Sequence, residues 1–451
     1  MKKNDTVTLE ITGMTTEGNG VGRYEGQAIF VPLTAPGDVI EANITKLQKN
    51  YAYGIIGKII SPSECRKKND CDVFGKCGGC SFRHISYNAE LEIKDGFVRD
   101  AFKRIGKLDV PFEKILGCES PDNYRNKAQY PVCEQNGKAV CGFYSKRSHR
   151  VVPFSDCKLQ PEIFKSIVDF IMEKANLLKI RGYNEEENSG LLRHIYLRQG
   201  FHSGEIMVCF VTTKRCENLL SPIAVSLAER FPEIKSIILN INSEKTNVIL
   251  GNKCITLFGK GFITDTMCGN SIKLSPLSFY QVNTKQAEKL YGIAKEFAQL
   301  SGNELVMDLY CGAGTIGLSM ADKAGKIIGV EIIPDAIENA KMNASENGIL
   351  NADFICGDAA QIAEKLAKKG EKPDVIIVDP PRKGCDKETL NAMIKMAPKR
   401  IVMVSCDPAT AARDCAFLCG NGYKAIKAQA VDMFPRTAHV ETVVLMSRMK
   451  D

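Results

Sequence analysis

Apolar and polar residues follow two periods along the last third of the chain, beginning near residue 284. Short apolar stretches typical of buried strands alternate with longer stretches in which apolar residues have helical spacing. The predicted helices are 285–300, 315–323, 334–347, 360–368 and 387–397, and the predicted strands are 304–308, 326–331, 352–356, 375–379 and 400–405. This alternation predicts a parallel, doubly wound sheet. Ligands of such sheets bind at the carboxyl ends of the strands, so functional residues are expected there.

The beginning of the chain has a different pattern, in which short β-rich stretches are separated by turns that contain glycine. Strands this short expose their edges unless they close on one another, so a small β-barrel is predicted. Helical and β-rich stretches then mix as far as residue 270, which predicts an α+β region. A chain of 451 residues is also too long for one hydrophobic core. The predicted domains are residues 1–60, 61–270 and 271–451.

Composition narrows the class of protein. Hydrophobic residues make up 44% of the chain and charged residues 25%, which are values of globular proteins. The formal net charge of +7 is compatible with a polyanionic partner without establishing one. The chain starts without an apolar leader and has no stretch long enough to span a bilayer, so we expect a cytoplasmic monomer with no membrane partner. The 18 cysteines are then expected to be thiols, metal ligands or catalytic groups rather than disulfides.

A glycine-rich segment, Asp308-Leu-Tyr-Cys-Gly-Ala-Gly314, follows the first strand of the alternating region. Glycines at such a point let the backbone turn tightly and approach a ligand, but dinucleotides and S-adenosylmethionine share this signal. The following strand ends favour S-adenosylmethionine. Glu331 can accept two ribose hydroxyls, Asp358 can meet an adenine amine, and Asp379 opens an Asp-Pro-Pro sequence.

A cysteine follows the apolar stretch 401–404, at the end of the fifth predicted strand. Cys406 can act as a nucleophile once its surroundings generate the thiolate. Two candidate bases, His439 and Glu441, precede a final apolar strand at 442–446. Glu441 is preferred, because a carboxylate that begins an apolar strand is unusual, whereas His439 is compatible with an orienting or structural role.

Four motifs together resemble those of the RNA (uracil-5-)-methyltransferases, and the resemblance extends over essentially the whole chain. The motifs are Leu277-Ser-Phe279-Tyr-Gln281-Val-Asn283, Asp379-Pro-Pro-Arg382-Lys-Gly384, Ser405-Cys406-Asp-Pro-Ala-Thr-Ala-Ala-Arg413-Asp414 and His439-Val-Glu441. The resemblance implies S-adenosylmethionine-dependent methylation of uridine at carbon 5 in RNA. Cys406 would add to carbon 6 of the uracil, and Glu441 would remove the carbon 5 proton.

The resemblance also implies a set of cofactor and uracil contacts. These are Gln281, Tyr310, Glu331, Asp358 and Asp379. Thr315 departs from the asparagine of some members. The fold implied is multidomain α/β, with an OB-like TRAM barrel, an α+β central domain that holds an iron-sulfur cluster, and a C-terminal Rossmann-like methyltransferase domain.

Three cysteines are closely spaced in Cys71-Xaa5-Cys77-Gly-Gly-Cys80, and Cys157 follows later. Four thiolates suit either tetrahedral zinc or an iron-sulfur cluster, and their spacing does not separate the two. Resemblance to the ribosomal RNA branch of the family implies a 4Fe-4S cluster on Cys71, Cys77, Cys80 and Cys157. Cys65 is a competing ligand by its position in the sequence.

Basic and aromatic residues predict where RNA binds. In the first 60 residues they interleave, as on a surface that contacts phosphates and unstacked bases. The predicted contacts are Lys46, Lys49, Tyr51, Tyr53, Arg66, Lys67, Lys68, Arg125, Lys127, Lys146, Arg147 and Arg150. The resemblance implies 23S rRNA as the substrate, because family members that carry both a TRAM domain and a cluster tend to act on it, with transfer RNA as the alternative.

Three other functions are compatible with parts of the sequence. An RNA amino-methyltransferase could use the Asp-Pro-Pro sequence, but Arg382 follows where such enzymes prefer an aromatic residue. A cytosine-5 methyltransferase would carry a Pro-Cys pair, which is absent here. A ribosome assembly factor with an inactive methyltransferase fold would not need the intact Cys406, Glu441 and Asp379.

Overall fold

The computed structural model describes residues 1–154 and 156–449. A closed barrel of five strands comes first, in the order β1-β2-β3-β5-β4. Its strands are β1 (Thr6–Met14), β2 (Asn19–Tyr24), β3 (Gln27–Pro32), β4 (Val39–Leu47) and β5 (Tyr51–Ser61). Alternate side chains such as Ile11, Ile29 and Ile40 fill its interior. Sequence predicted the barrel but not β2 as one of its strands, because Gly18-Asn-Gly20 suggested a turn. The structure needs small residues there, because a Cβ on Gly20 would lie 1.9 Å from the Thr34 hydroxyl.

A six-stranded sheet forms the middle of the molecule, in the order β13-β12-β11-β10-β6-β7. Its strands are β6 (Lys127–Gln135), β7 (Lys138–Cys141), β10 (Leu192–Gln199), β11 (Ile206–Thr212), β12 (Ile234–Ile241) and β13 (Lys253–Gly259). Helices α2 (Glu162–Leu177) and α3 (Glu217–Arg230) cover one face and bury their apolar sides against it. Two small hairpins, β8 (Phe143–Tyr144) with β9 (Val151–Val152) and β14 (Ile263–Met267) with β15 (Asn270–Leu274), complete the strands of this region.

The last third forms a seven-stranded sheet in the order β18-β17-β16-β19-β20-β22-β21. Its strands are β16 (Leu305–Leu309), β17 (Lys326–Glu331), β18 (Ala352–Cys356), β19 (Val375–Val378), β20 (Arg400–Ser405), β21 (Tyr423–Val431) and β22 (Glu441–Arg448). Its helices are α4 (Thr284–Ala298), α5 (Thr315–Ser319), α6 (Pro334–Glu346), α7 (Ala359–Lys368), α8 (Lys387–Met396) and α9 (Pro408–Cys419). The first five strands in this order are parallel, as predicted, whereas β22 runs antiparallel between β20 and β21.

Helix α1 (Tyr87–Ala101) continues into a π-helical turn, Phe102–Gly106. Val98, Ala101 and Phe102 pack in the core of the C-terminal sheet, although the sequence analysis assigned them to the 61–270 region. The chain beyond the helix adds isolated parallel bridges from Phe112 and Leu116 to β21. Residues 87–116 therefore connect the cysteine-rich segment to the edge of the C-terminal sheet. Within the described part of the chain, no helix is long and apolar enough to cross a membrane.

Candidate active site

The antiparallel strand β22 brings Glu441 to the same edge of the sheet as Cys406. Cys406 directly follows β20, and Glu441 is the first residue of β22. The register pairs Ser405 with Thr442, so the residues on either side of this pair are neighbours across the two strands. Since β20 is parallel to β19, Asp379, the residue after β19, lies at this edge as well. Three residues that are far apart in sequence thus share one site.

The Cys406 thiol is half-buried where β20 turns into α9. Asp407 caps the helix, and its carboxylate accepts a hydrogen bond of 2.9 Å from the main-chain N–H of Thr410. Burial raises the pKa of the thiol to about 11, and the negative charges of Glu441 and Asp379 add to this rise. The Arg382 guanidinium lowers the pKa and so favours the thiolate.

Glu441 is buried and Asp379 is half-buried, and the charges of the two carboxyl groups interact. Burial raises the pKa of Glu441 to about 8, and the charge of Asp379 contributes to the rise, whereas Arg382 opposes it. Burial alone raises the pKa of Asp379 to about 7. For His439, burial and then the charge of Arg382 lower the pKa below its ordinary value of 6.5. The site therefore contains two carboxyl groups that can exchange protons near neutral pH and an imidazole that is neutral there.

The glycine-rich segment turns sharply between β16 and α5. Tyr310 has φ +64°, and Gly312 and Gly314 also have positive φ. The Glu331 carboxylate, at the end of β17, accepts hydrogen bonds from the main-chain N–H groups of Gly312 (3.2 Å) and Ile333 (3.0 Å). Glu331 thus fixes the turn, and its position at the strand end is the one predicted for a ribose contact.

A cavity of about 50 Å³ adjoins this turn. Gln281, Tyr310, Thr315 and Asp379 line it, together with apolar side chains such as Ile316. The predicted contacts Gln281, Tyr310 and Asp379 are therefore brought together.

Asp358 lies in a neighbouring groove of about 440 Å³, where its carboxylate caps α7 by accepting from the Gln361 N–H at 3.1 Å. Its charge contributes to the raised pKa of Tyr310, for which burial is the main cause, so the groove and the cavity are adjacent.

The Asp379-Pro-Pro-Arg382-Lys-Gly384 segment is braced by Arg413 and Asp414 of α9. The Arg413 guanidinium donates to the carbonyls of Lys383 (3.0 Å) and Cys385 (3.3 Å), and the Asp414 carboxylate accepts from the Cys385 N–H at 2.8 Å. Gly384 has φ +77°, and a Cβ there would lie 2.4 Å from an Arg413 nitrogen. Through these contacts, the motif that contains Arg413 and Asp414 holds the Asp379-Pro-Pro-Arg382-Lys-Gly384 motif in place.

The four cysteines predicted as metal ligands line one cavity of about 80 Å³. Arg83, Arg125 and Lys158 also line it and provide positive charge beside the sulfur atoms. The main-chain N–H of Gly79 donates to the Cys77 sulfur at 3.3 Å. Burial, with a contribution from Cys157, raises the pKa of Cys80 to about 12. Without a metal, the Cys80 thiol is therefore protonated at neutral pH.

Cys65 is not among the residues that line this cavity. Its sulfur lies 3.1 Å from the Ser63 hydroxyl and donates to the Pro36 carbonyl at 3.6 Å, beside the barrel. No group of three or more His, Cys, Asp or Glu side chains within residues 1–154 and 156–449 is arranged to hold a metal ion. The cysteines thus surround a space without converging on a single point.

The predicted RNA contacts fall into two classes. Tyr51 and Tyr53 face outward on the barrel together with Phe30, which the sequence analysis missed, and the three ring centroids lie 5.5 to 5.7 Å apart. In the β8–β9 hairpin, all residues from 146 to 150 are exposed. Arg66 belongs to the second class, whose charges are used inside the protein: its guanidinium donates two hydrogen bonds of 2.7 Å to the Asp38 carboxylate.

Arg125 and Lys127 are also unlike the exposed cations that RNA contacts would need. Arg125 lines the cysteine cavity. Burial and the charge of Arg198 lower the pKa of Lys127 to about 8. The burial of these two side chains was not visible in the local sequence, which shows only their charge.

Comparisons with known proteins agree with this architecture. A sequence profile described as tRNA (Uracil-5-)-methyltransferase matches residues 86–449, and one described as TRAM domain matches residues 2–56. A Clostridium tetani protein named uncharacterized RNA methyltransferase is 47% identical over 451 residues, covering 100% of this chain and 98% of that protein. A Caldanaerobacter subterraneus protein, also named uncharacterized RNA methyltransferase, is 42% identical over 449 residues, covering 100% of this chain and 99% of that protein.

One solved structure is similar over almost the whole chain: Pyrococcus abyssi tRNA (uracil-54, C5)-methyltransferase in complex with S-adenosyl-L-homocysteine. It is 27% identical, has a TM-score of 0.78, and covers 97% of this chain and 99% of that one. The predicted resemblance and the predicted barrel followed by a methyltransferase domain are thereby confirmed. The chain belongs to the tRNA (uracil-5-)-methyltransferase family and carries an N-terminal TRAM domain.

Proposed function

We propose that this protein transfers a methyl group from S-adenosylmethionine to carbon 5 of a uridine in RNA, with Cys406 as covalent nucleophile and Glu441 as base. The observation that carries the proposal is the β20–β22 register, which sets Glu441 beside Cys406 at the edge where Asp379 also lies. A nucleophile, a base and an adjoining cavity are the parts that this reaction needs.

The residues around the glycine-rich turn fit S-adenosylmethionine. Positive φ at Tyr310, Gly312 and Gly314 lets the backbone turn tightly beside the cavity, Glu331 stands at the end of β17, and Tyr310 offers a ring for stacking. A buried oxygen of Asp308, Oδ1, has no hydrogen-bond partner among the described residues. We assign Gln281, Tyr310, Glu331, Asp358 and Asp379 as contacts that hold and orient the cofactor and the uracil. The cofactor supplies an electrophilic methyl group.

Uracil carbon 5 is a poor nucleophile, and Cys406 overcomes this by adding its thiolate to carbon 6. The new carbon–sulfur bond leaves an enolate whose electron pair at carbon 5 would take the methyl group from the sulfonium sulfur of S-adenosylmethionine, which would leave as S-adenosylhomocysteine. Glu441 then removes the remaining carbon 5 proton. The electrons of that C–H bond re-form the 5,6 double bond as the carbon–sulfur bond breaks and the thiolate leaves. A carboxylate with a pKa of about 8 is basic enough for this proton transfer near neutral pH.

The Arg382 guanidinium has two effects at this site. It favours the thiolate of Cys406, although burial and the neighbouring carboxylates still hold the pKa of this thiol at about 11. It also opposes the rise in the pKa of Glu441, and so keeps part of that group ionised and ready to accept a proton. Sequence alone treated Arg382 only as a motif residue that argued against amine methylation.

We assign a 4Fe-4S cluster to Cys71, Cys77, Cys80 and Cys157. A zinc ion would bring all four sulfurs to about 2.3 Å from one centre. The four cysteines line one shared cavity of about 80 Å³, which supports an occupant bound by all four of them. Arg125, which also lines the cavity, would offset part of the charge of the thiolates. The proposed reaction needs no electron transfer, so the role we assign to the cluster is to organise the fold or the RNA-binding surface.

We propose 23S rRNA as the substrate, because the TRAM barrel and the cysteine cavity occur together. The outward-facing aromatic residues of the barrel and the exposed cations of the β8–β9 hairpin would bind unstacked bases and phosphates. Transfer RNA is the second candidate, because the similar Pyrococcus abyssi enzyme is a tRNA (uracil-54, C5)-methyltransferase.

Trapping with 5-fluorouridine tests the function. Fluorine cannot leave carbon 5 as a proton, so methyl transfer should leave the protein bound covalently to the RNA. Protein purified without oxygen is incubated with S-adenosylmethionine and either 23S rRNA fragments or transfer RNA, each containing 5-fluorouridine, and separated on a denaturing gel. We expect a shifted band with one 23S fragment, and none with Cys406→Ala. A shifted band with transfer RNA alone would show that transfer RNA, and not 23S rRNA, is the substrate. If no RNA that binds the protein gave a shifted band, the covalent mechanism would be rejected.

A further inference from the structure

The loop between β21 and β22, residues 432–440, leads directly to Glu441. Its main-chain carbonyls are held by side chains from three other parts of the chain. Asn283 donates to the Met433 carbonyl at 3.0 Å, Lys94 to the Phe434 carbonyl at 3.1 Å, and Tyr124 to the Pro435 carbonyl at 3.0 Å. The 432–440 loop is thus fixed by groups outside it, although it contains no regular secondary structure.

A buried charge network supports the loop from beneath. Lys94 of α1 is 0% exposed, and its ammonium donates to Glu90 and to Asp432, each at 2.7 Å. Asp432 also accepts a hydrogen bond of 2.8 Å from the Tyr87 hydroxyl. Arg436 pairs with Glu90 and also lies 4.0 Å from the Asp122 carboxylate, so each buried charge of the network has a partner of opposite sign. Burying charges is costly unless they are paired and hydrogen-bonded, which requires their partners to stay in place.

Arg436 holds the loop at a second point. It adopts φ +69°, a conformation that is rare for a residue with a side chain. Its main-chain N–H donates to Glu90 at 2.6 Å, and its carbonyl accepts from the N–H groups of Ser81 (2.8 Å) and Phe82 (3.0 Å). These two residues directly follow Cys80. The cysteine-rich segment and α1 therefore both form hydrogen bonds with the 432–440 loop.

We propose that Lys94 is a positioning residue that holds the 432–440 loop so that the Glu441 carboxylate faces carbon 5 of the uracil. This rests on the proposed function, and it assigns to a buried lysine of α1 a specific part in the second half of the reaction. Lys94 is 0% exposed and so cannot contact the substrate or the cofactor directly. It acts through the Phe434 carbonyl and Asp432, at the loop that leads to Glu441, and so affects proton removal more than the addition of Cys406, which is positioned by β20 and α9.

Lys94→Met tests this, with Arg99→Met as the matched control. Arg99 lies on the same helix and pairs with Asp95 at 2.6 Å, but on an exposed side. Because Lys94→Met leaves a buried carboxylate unpaired, Lys94→Met/Asp432→Asn is made as well, since it removes one charge of each sign. Trapping on 5-fluorouridine RNA counts the enzyme molecules that still add Cys406 and transfer methyl. On ordinary RNA, the rate at which the covalent adduct disappears reports proton removal.

We expect both Lys94 variants to trap on 5-fluorouridine RNA yet to accumulate adduct on ordinary RNA. Release per trapping-competent molecule should be about 100-fold slower, the loss that a misplacement of about 1 Å typically causes. Arg99→Met should release at the wild-type rate. Release by both Lys94 variants within about twofold of wild type would overturn the proposal, and so would loss of trapping in both, since the network would then hold the whole site. Absence of trapping in the wild-type protein would instead reject the proposed function.

Discussion

Replacing Glu441 by glutamine should separate the two halves of the proposed reaction. Glutamine has nearly the shape of glutamic acid but cannot accept the carbon 5 proton, so addition of Cys406 and methyl transfer proceed while elimination stalls. General base catalysis contributes about 10²- to 10⁴-fold to a rate. We therefore expect release of methylated RNA to slow by that factor, equivalent to about 3 to 5 kcal/mol of activation free energy.

Glu441→Gln should also change the pH dependence of stability, and this change would show that slow release of RNA does not come from misfolding. Burial and the charge of Asp379 raise the pKa of Glu441 from 4.5 to about 8. The unfolded chain loses this proton near pH 4.5, whereas the folded protein keeps it until the pH approaches 8. The contribution of Glu441 to the free energy of unfolding is therefore fully present below pH 4.5 and is lost as the pH rises to 8. That rise in pKa corresponds to about 5 kcal/mol. Glu441→Gln removes this dependence, so it should gain stability relative to wild type between pH 5 and 8.5.

Two measurements check the reasoning. Denaturing gels of single-turnover reactions on ordinary RNA should show adduct that persists with Glu441→Gln and decays quickly with wild type. Unfolding by urea at pH 5 and 8.5 should show the relative gain in stability of the variant at the higher pH. Release at the wild-type rate would show that Glu441 is not the base. Identical pH dependence of unfolding in the two proteins would show that Glu441 is not held protonated by its surroundings.

The remaining predictions concern the nucleophile, the pH profile, the cysteine cavity and one glycine. Cys406→Ala should abolish methylation but bind RNA as wild type does in a filter assay, and any residual methylation would contradict its role. Adduct release should accelerate from pH 6 to about pH 8 as Glu441 loses its proton, whereas a flat profile would exclude this group. Cys157→Ala should lower the iron content of protein purified without oxygen, and unchanged iron would remove it from the ligand set. Gly384→Ala should lower thermal stability more than Gly26→Ala, because both have positive φ but only Gly384 is crowded; equal losses would refute this.

The alternating region was predictable because its signals are local. A buried parallel strand reads as an apolar stretch and its neighbouring helix as a periodic one, so the five parallel strands follow from neighbouring residues. The antiparallel insertion of β22 between β20 and β21 was not predictable in this way. Strand order depends on which edges meet in three dimensions, and nothing in the sequence of the 432–440 loop states where its far end will pair.

By itself, the sequence determined which chemical groups the protein has: the Cys406 thiol, the Glu441 and Asp379 carboxyls, the glycine-rich turn and four cysteines. Only the tertiary structure decided how they act together. The β20–β22 register set Glu441 beside Cys406, and burial raised the pKa of both. Neither effect is local, because register and desolvation depend on residues distant in sequence. Lys94 shows the same limit: in the sequence it is an ordinary helical lysine, and only folding buries it between Glu90 and Asp432.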